Sequence, residues 1–184
     1  PLSAEQLMNL SQPFFMDLWK AYAFFVTFSN EHNWKPTLPT SELSFSEANL
    51  SPLERWIFST LQSTLRGLHE ALQGCRFHQA VALIEEWVKQ LTHIFLPQMH
   101  QFFWDAQAPQ EANEVFNNLH YLLSALSRII APFAPFIAEE IYQNIVRTYD
   151  NDAPASVHLA SFPTLEPDFE DEELNREIAF ILHL

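Results

Sequence analysis

The side chains that most often carry chemistry are sparse and poorly grouped in this chain. Glu139 and Glu140 form an adjacent carboxylate pair, the kind of pair that can divide acid and base work. Neighbours on a helix point apart, however, and acids near a helix start suit the dipole, so the pair reads as structural. No two of the eight His residues lie three or four apart, and no Glu-x-x-His pair occurs. Helical zinc and di-iron ligand sets need such spacings. His93 and His100 are seven apart and share a helix face, but one pair is no ligand set. Gly67 and Gly74 are the only glycines, which excludes a G-x-G-x-x-G fingerprint and a P-loop. Cys75 has no catalytic signature around it and reads as a small buried hydrophobe. No active site, no metal and no cofactor are expected.

The whole composition bears on what these residues serve. Of 184 residues, 48% are hydrophobic and 14% aromatic, enough for a sizeable core. Charged residues are only 17%, which argues against disorder. Nine Lys and Arg oppose 23 Asp and Glu, a formal net charge of −14. Nucleic-acid binders draw on a basic footprint, so a strong, self-sufficient RNA binder is disfavoured. The lone cysteine forms no internal disulfide and fits a reducing, cytoplasmic setting. No apolar run has membrane-spanning length. The chain opens at Pro1 without a Met, which reads as a segment of a longer protein.

The positioning elements are helices. Leu7, Leu10, Phe14, Leu18, Tyr22, Phe25 and Val26 recur at helical spacing, with Pro13 expected to start a fresh segment. Residues 30 to 50 read as a connection. Ser51-Pro52-Leu53-Glu54 is a capping box with proline at the first helical position. The stripe Trp56, Ile57, Leu61, Leu65, Leu68 follows, and Gly74 is expected to close it in the left-handed conformation. A third helix from Phe77 carries Val81, Ile84, Trp87 and Val88, and Pro97 should kink or restart it. A fourth runs from about Pro109 to Ile130. Pro132 and Pro135 separate it from a shorter helix bearing Ile137, Ile141 and Ile145. Ser156 to Leu159 reads as a short extended segment, and an acidic run leads to a last helix with Leu174, Ile178, Ile181 and Leu182. This predicts an all-α, up-and-down helix bundle over 1–150 and a C-terminal extension over 151–184. Trp56, Trp87, Leu123 and Ile130 should be buried.

Four runs carry a resemblance to a known family. Leu18-Trp19-Lys20-Ala21-Tyr22-Ala23-Phe24-Phe25-Val26-Thr27-Phe28-Ser29-Asn30 is similar to L-W-N-x-Y-x-F-F-V-T-Y-A-N. Leu53-Glu54-Arg55-Trp56-Ile57-Phe58-Ser59-Thr60-Leu61 is similar to L-D-R-W-I-L-S-R-L. Ile130 to Asn144 resembles L-A-P-F-x-P-F-x-x-E-E-I-Y-Q-N, and Ser156 to Pro163 resembles S-V-H-L-x-D-W-P. In this order they resemble the anticodon-binding domain of class I aminoacyl-tRNA synthetases, the isoleucine branch above all. The resemblance implies a bundle that grips the anticodon stem-loop of tRNA, with aminoacylation performed by a separate Rossmann domain. This chain alone would then be non-catalytic.

One stretch departs from the family. Where the family's third helix continues as an arginine-rich L-S-N-W-Y-x-R-R-S-R-R-R-F-W, this chain reads Leu91 to Trp104. Pro97, Gln98, His100, Gln101 and Phe102 stand in place of arginines, and Thr60 replaces another. By resemblance the tRNA-facing residues are Lys89, His93, Gln98, His100, Gln101 and Trp104. Phe102, Phe103 and Trp104 read first as core packing, with base stacking the alternative. Two readings stand. One is a tRNA anticodon-stem recognition domain with a weakened RNA face, partnered by tRNA and by other domains of a parent synthetase. The other is a diverged interaction or scaffold domain that no longer binds tRNA.

Overall fold

The longest helices are set by their caps and apolar stripes. In the computed structural model, residues 4–36, 50–104, 109–166 and 169–182 are described. Helix α1 spans Ala4–Glu31, α2 Pro52–Gln73, α3 Phe77–Lys89, α4 Leu96–Trp104, α5 Pro109–Ile130, α6 Pro135–Tyr142 and α7 Glu172–Leu182. No strand occurs among the described residues. The fold is an all-α bundle.

At the start of α2 the capping box forms as its sequence predicts. The Ser51 hydroxyl accepts from the Glu54 amide at 3.3 Å, and Glu54 Oε2 accepts from the Ser51 amide at 2.9 Å. The other Glu54 oxygen accepts from Asn118 Nδ2 of α5 at 2.7 Å. Two buried polar groups thus satisfy each other across the bundle, and one cap also fixes helix packing. Behind it, Trp56, Ile57, Leu61, Leu65 and Leu68 enter the core with Trp87, Leu123 and Ile130. The four residues expected inside are all at most 2% exposed.

Several local expectations are corrected. Helix α1 runs unbroken through Pro13. The proline removes one intrahelical bond, while Leu18, Ala21 and Phe25 hold the helix against the core. Gly74 does not take the left-handed turn after α2; its φ is −82°. Cys75 takes it instead, with φ 52°, and is exposed rather than buried. The tight return from the Arg76 amide to the Ala71 carbonyl at 2.7 Å puts the positive φ one residue later. At Pro97 a new helical segment starts as expected, α4 beginning at Leu96, with no loop before it. A π-helical turn over Gln90–Phe95 joins α3 to α4, with the Leu96 amide reaching back to the Leu91 carbonyl. The extra residue falls immediately before the proline, where an intrahelical bond is lost in any case.

Helix α6 also ends in a π-turn, over Gln143–Arg147. Beyond it, the segment expected to be extended forms a 3₁₀ turn over Val157–Leu159. Glu139 causes the difference: its Oε2 accepts from Ser156 Oγ at 2.8 Å and from the Val157 amide at 2.9 Å. Burial alone would raise this carboxyl. The bonds from Gln143, Ser156 and Val157 outweigh it and hold the group below the usual range. The chain then returns along α2. The Glu166 amide donates to Gln62 at 2.8 Å, the Asp171 amide to Ser59 Oγ at 2.8 Å, and Ser63 Oγ to Glu170 at 2.8 Å. Leu174 and Ile178 pack on the core. Ile181, read as part of the same stripe, is 64% exposed.

Candidate nucleic-acid interface

The residues named for RNA contact lie on the rod formed by α3, its π-turn and α4. Phe95, Leu96 and Met99 face inward and are buried. Lys89, His93, Pro97, Gln98 and His100 are exposed. The side chains of Gln101 and Trp104 lie outside the described residues, as do those of Phe102 and Phe103. His93 and His100 do share a flank, since both abut α1. His93 Nε2 sits 3.0 Å from Asp17 Oδ2. The His100 ring meets Phe28 edge-on at 5.3 Å and Phe24 at 6.0 Å.

Asp17 is the residue that sequence reasoning missed. Its carboxylate also takes Lys20 Nζ at 3.1 Å, while its backbone carbonyl accepts from Thr92 Oγ1 at 3.3 Å. Burial would raise the carboxyl, but His93 and Lys20 outweigh it and hold it below the ordinary carboxylate range. The Asp17–Lys20 spacing was visible in the sequence. The His93 partner, on a different helix, was not.

The remaining cations are spent internally. Arg55 pairs with Asp171 at 3.0 Å and Arg66 with Glu170 at 2.7 Å. Arg76 donates to the Glu70 carbonyl and Arg176 to the Glu172 carbonyl. Arg147 NH1 donates to the carbonyls of Asp150, Asn151 and Ala153. Arg128 is half-buried, donating to the Ser124 carbonyl, and burial pushes its pKa down. Among the described residues, only Lys35 and Lys89 of the nine basic side chains have no hydrogen-bond or ion-pair partner. Also among the described residues, no three His, Cys, Asp or Glu side chains gather to hold a metal ion, and no helix is long and apolar enough to cross a membrane.

A family model described as "Anticodon-binding domain of tRNA ligase" matches residues 54–184. The chain belongs to this anticodon-binding domain family. It is 34% identical to an isoleucine–tRNA ligase of Dehalococcoides mccartyi over 97% of this chain and 17% of that protein. It is 30% identical to one of Clostridium tetani over 96% of this chain and 16% of the relative. It is 29% identical to one of Methanothrix thermoacetophila over 89% and 15%. The chain thus spans about a sixth of the length of these curated relatives.

In this anticodon-binding domain the four motif runs are joined in space. Asn144 Nδ2, from the third run, donates to the Tyr22 hydroxyl of the first at 2.9 Å. Glu139 of the third grips Ser156 and Val157 of the fourth. Glu54 of the second is tied through Asn118 to α5, whose last turn opens the third. The runs are a connected polar framework around one apolar core.

Proposed function

We propose that this domain recognises the anticodon stem-loop of an isoleucine tRNA with a weakened phosphate-binding face, as part of a parent isoleucine–tRNA ligase. In this role it needs no cofactor and no catalytic residue of its own, and it works in the cytoplasm alongside other domains of the parent. Membership in the anticodon-binding family supports the tRNA assignment. The weakness rests on one observation: only Lys35 and Lys89 lack an internal partner among the described residues, on a chain of net charge −14. Each cation that neutralises a phosphate releases counterions and adds affinity. A polyanion approaching an acidic domain is repelled. The His93 ring is turned to the Asp17 carboxylate, with Nε2 3.0 Å from Oδ2.

The same cation ledger favours a second reading, a scaffold domain of this descent that has left tRNA binding behind. An anisotropy titration of labelled isoleucine tRNA with the 184-residue chain separates them. The tRNA reading expects weak binding with a shallow salt slope that strengthens at low salt. No binding even at low salt leaves the scaffold reading. Tight binding with a steep slope overturns the weakened face.

A further inference from the structure

A second feature of the bundle adjoins the core-facing stripe of α1, where Phe25 and Tyr22 turn toward the end of α6. A cleft of about 260 Å³ opens between α1 and the π-turn after α6. Its walls include the rings of Tyr22, Phe25 and Tyr149, and its rim carries the amides of Asn30 and Asn144. No Asp, Glu, Lys or Arg lines it. The π-turn places Asn144 at the rim, a device that recurs at functional sites.

The hydrogen-bonding pattern of the rim is fixed by its neighbours. Asn144 Nδ2 donates to Tyr22 Oη at 2.9 Å and to Glu140 Oε1 at 3.1 Å. An ionised carboxylate only accepts, so the amide must turn its NH₂ toward Glu140. Its Oδ1 is left as an acceptor. The Tyr22 oxygen accepts from Asn144 and keeps its own O–H to donate. The mouth therefore presents one donor and one acceptor side by side, above aromatic walls. Behind the cleft, His120 is 2% exposed. It donates Nε2–H to the Ile145 carbonyl at 2.6 Å and stacks on Phe25. Burial pushes its pKa down against that bond. Trp19, 53% exposed, stands 5.4 Å from the Tyr22 ring beside the mouth.

We propose that this cleft is a nucleobase site, taking one unstacked base against its aromatic lining and reading its edge with Tyr22 and Asn144. The inference rests on the tRNA reading above and names the part of the RNA that is taken. Unpaired bases are recognised by aromatic stacking and by hydrogen bonds to an edge that carries donor and acceptor together. A cleft lined by no cation suits a base and not a phosphate. Trp19 provides a second ring for the neighbouring base of a loop, since stacking tolerates any base.

The test uses the 184-residue chain with two probes: free nucleosides followed by NMR, and an isoleucine tRNA anticodon stem-loop followed by anisotropy. Tyr22→Phe and Asn144→Leu each remove one edge contact and also break the Asn144–Tyr22 bond, so both lower the thermal midpoint by a similar small amount. Each should weaken base binding about fivefold at a temperature where both remain folded, as expected for loss of one neutral hydrogen bond, without changing the salt slope. Shifts at Tyr22 and Asn144 with nucleoside alone identify a site for free bases. Loss seen only with the stem-loop identifies a loop base. Stem-loop binding that neither variant weakens, with no nucleoside shift at millimolar concentration, overturns the nucleobase site and leaves the tRNA reading intact. Variant-sensitive nucleoside binding with no stem-loop binding supports the cleft and overturns the tRNA reading.

Discussion

Restoring one cation on the α3–α4 rod should change the salt dependence of RNA binding by a countable amount. Gln98 is exposed on the rod, at a position where the resemblance drawn from the sequence implies an arginine. Among the described residues, the native chain offers Lys35 and Lys89 as cations without internal partners, so one to two phosphate contacts are available. At about −0.7 per contact on single-stranded RNA, the slope of log affinity against log salt should lie between about −0.7 and −1.4. Gln98→Arg adds one contact and should steepen the slope by about 0.7. Between 50 and 200 mM salt that single charge makes the variant lose about 2.5-fold more affinity than the native chain does. Lys89→Gln should shift the slope by a similar amount in the opposite direction. Anisotropy titrations of isoleucine tRNA at four or more salt concentrations measure all three slopes. An unchanged slope in Gln98→Arg, with binding retained, would refute the idea that this rod faces phosphate.

Two further outcomes follow from the core. Trp87 is 2% exposed in the main cluster, so Trp87→Ala should cost about 3–5 kcal/mol; a thermal midpoint equal to that of the native chain would show that the stripe does not face the core. His120 has a folded pKa below its ordinary value because it is buried. A depressed folded pKa stabilises the fold above the unfolded value of about 6.5 and loses that contribution as pH falls from there toward the folded value. Urea midpoints should therefore drop between pH 7.5 and 5.5, and His120→Gln should flatten that drop. Equal pH dependence in the two proteins would contradict a buried, neutral imidazole.

What the sequence determined by itself was everything governed by short-range periodicity. The stripe through Trp56, Leu61 and Leu68 and the box at Ser51 and Glu54 formed because helix faces and caps depend on residues within one or two turns. The four motif runs were legible for the same reason, as strings. Local rules failed where neighbours in space intervened. Pro13 stayed inside a helix whose C-terminal turns are held on the core by Leu18, Ala21 and Phe25. Cys75 took the turn expected of Gly74 because the return bond from Arg76 sets the register. Ser156 to Leu159 curled because Glu139, well before it in the chain, supplied acceptors no strand partner offered. The candidate interface depended most on tertiary structure. Lys89, His93, Gln98 and His100 were visible by type, but not the carboxylate that meets His93. Asp17 lies on another helix, and charge in a folded protein is decided by which side chains meet across elements. The cleft at Tyr22 and Asn144 has the same origin: each residue was part of a motif, and only packing of α1 against the π-turn after α6 turned the two into one edge.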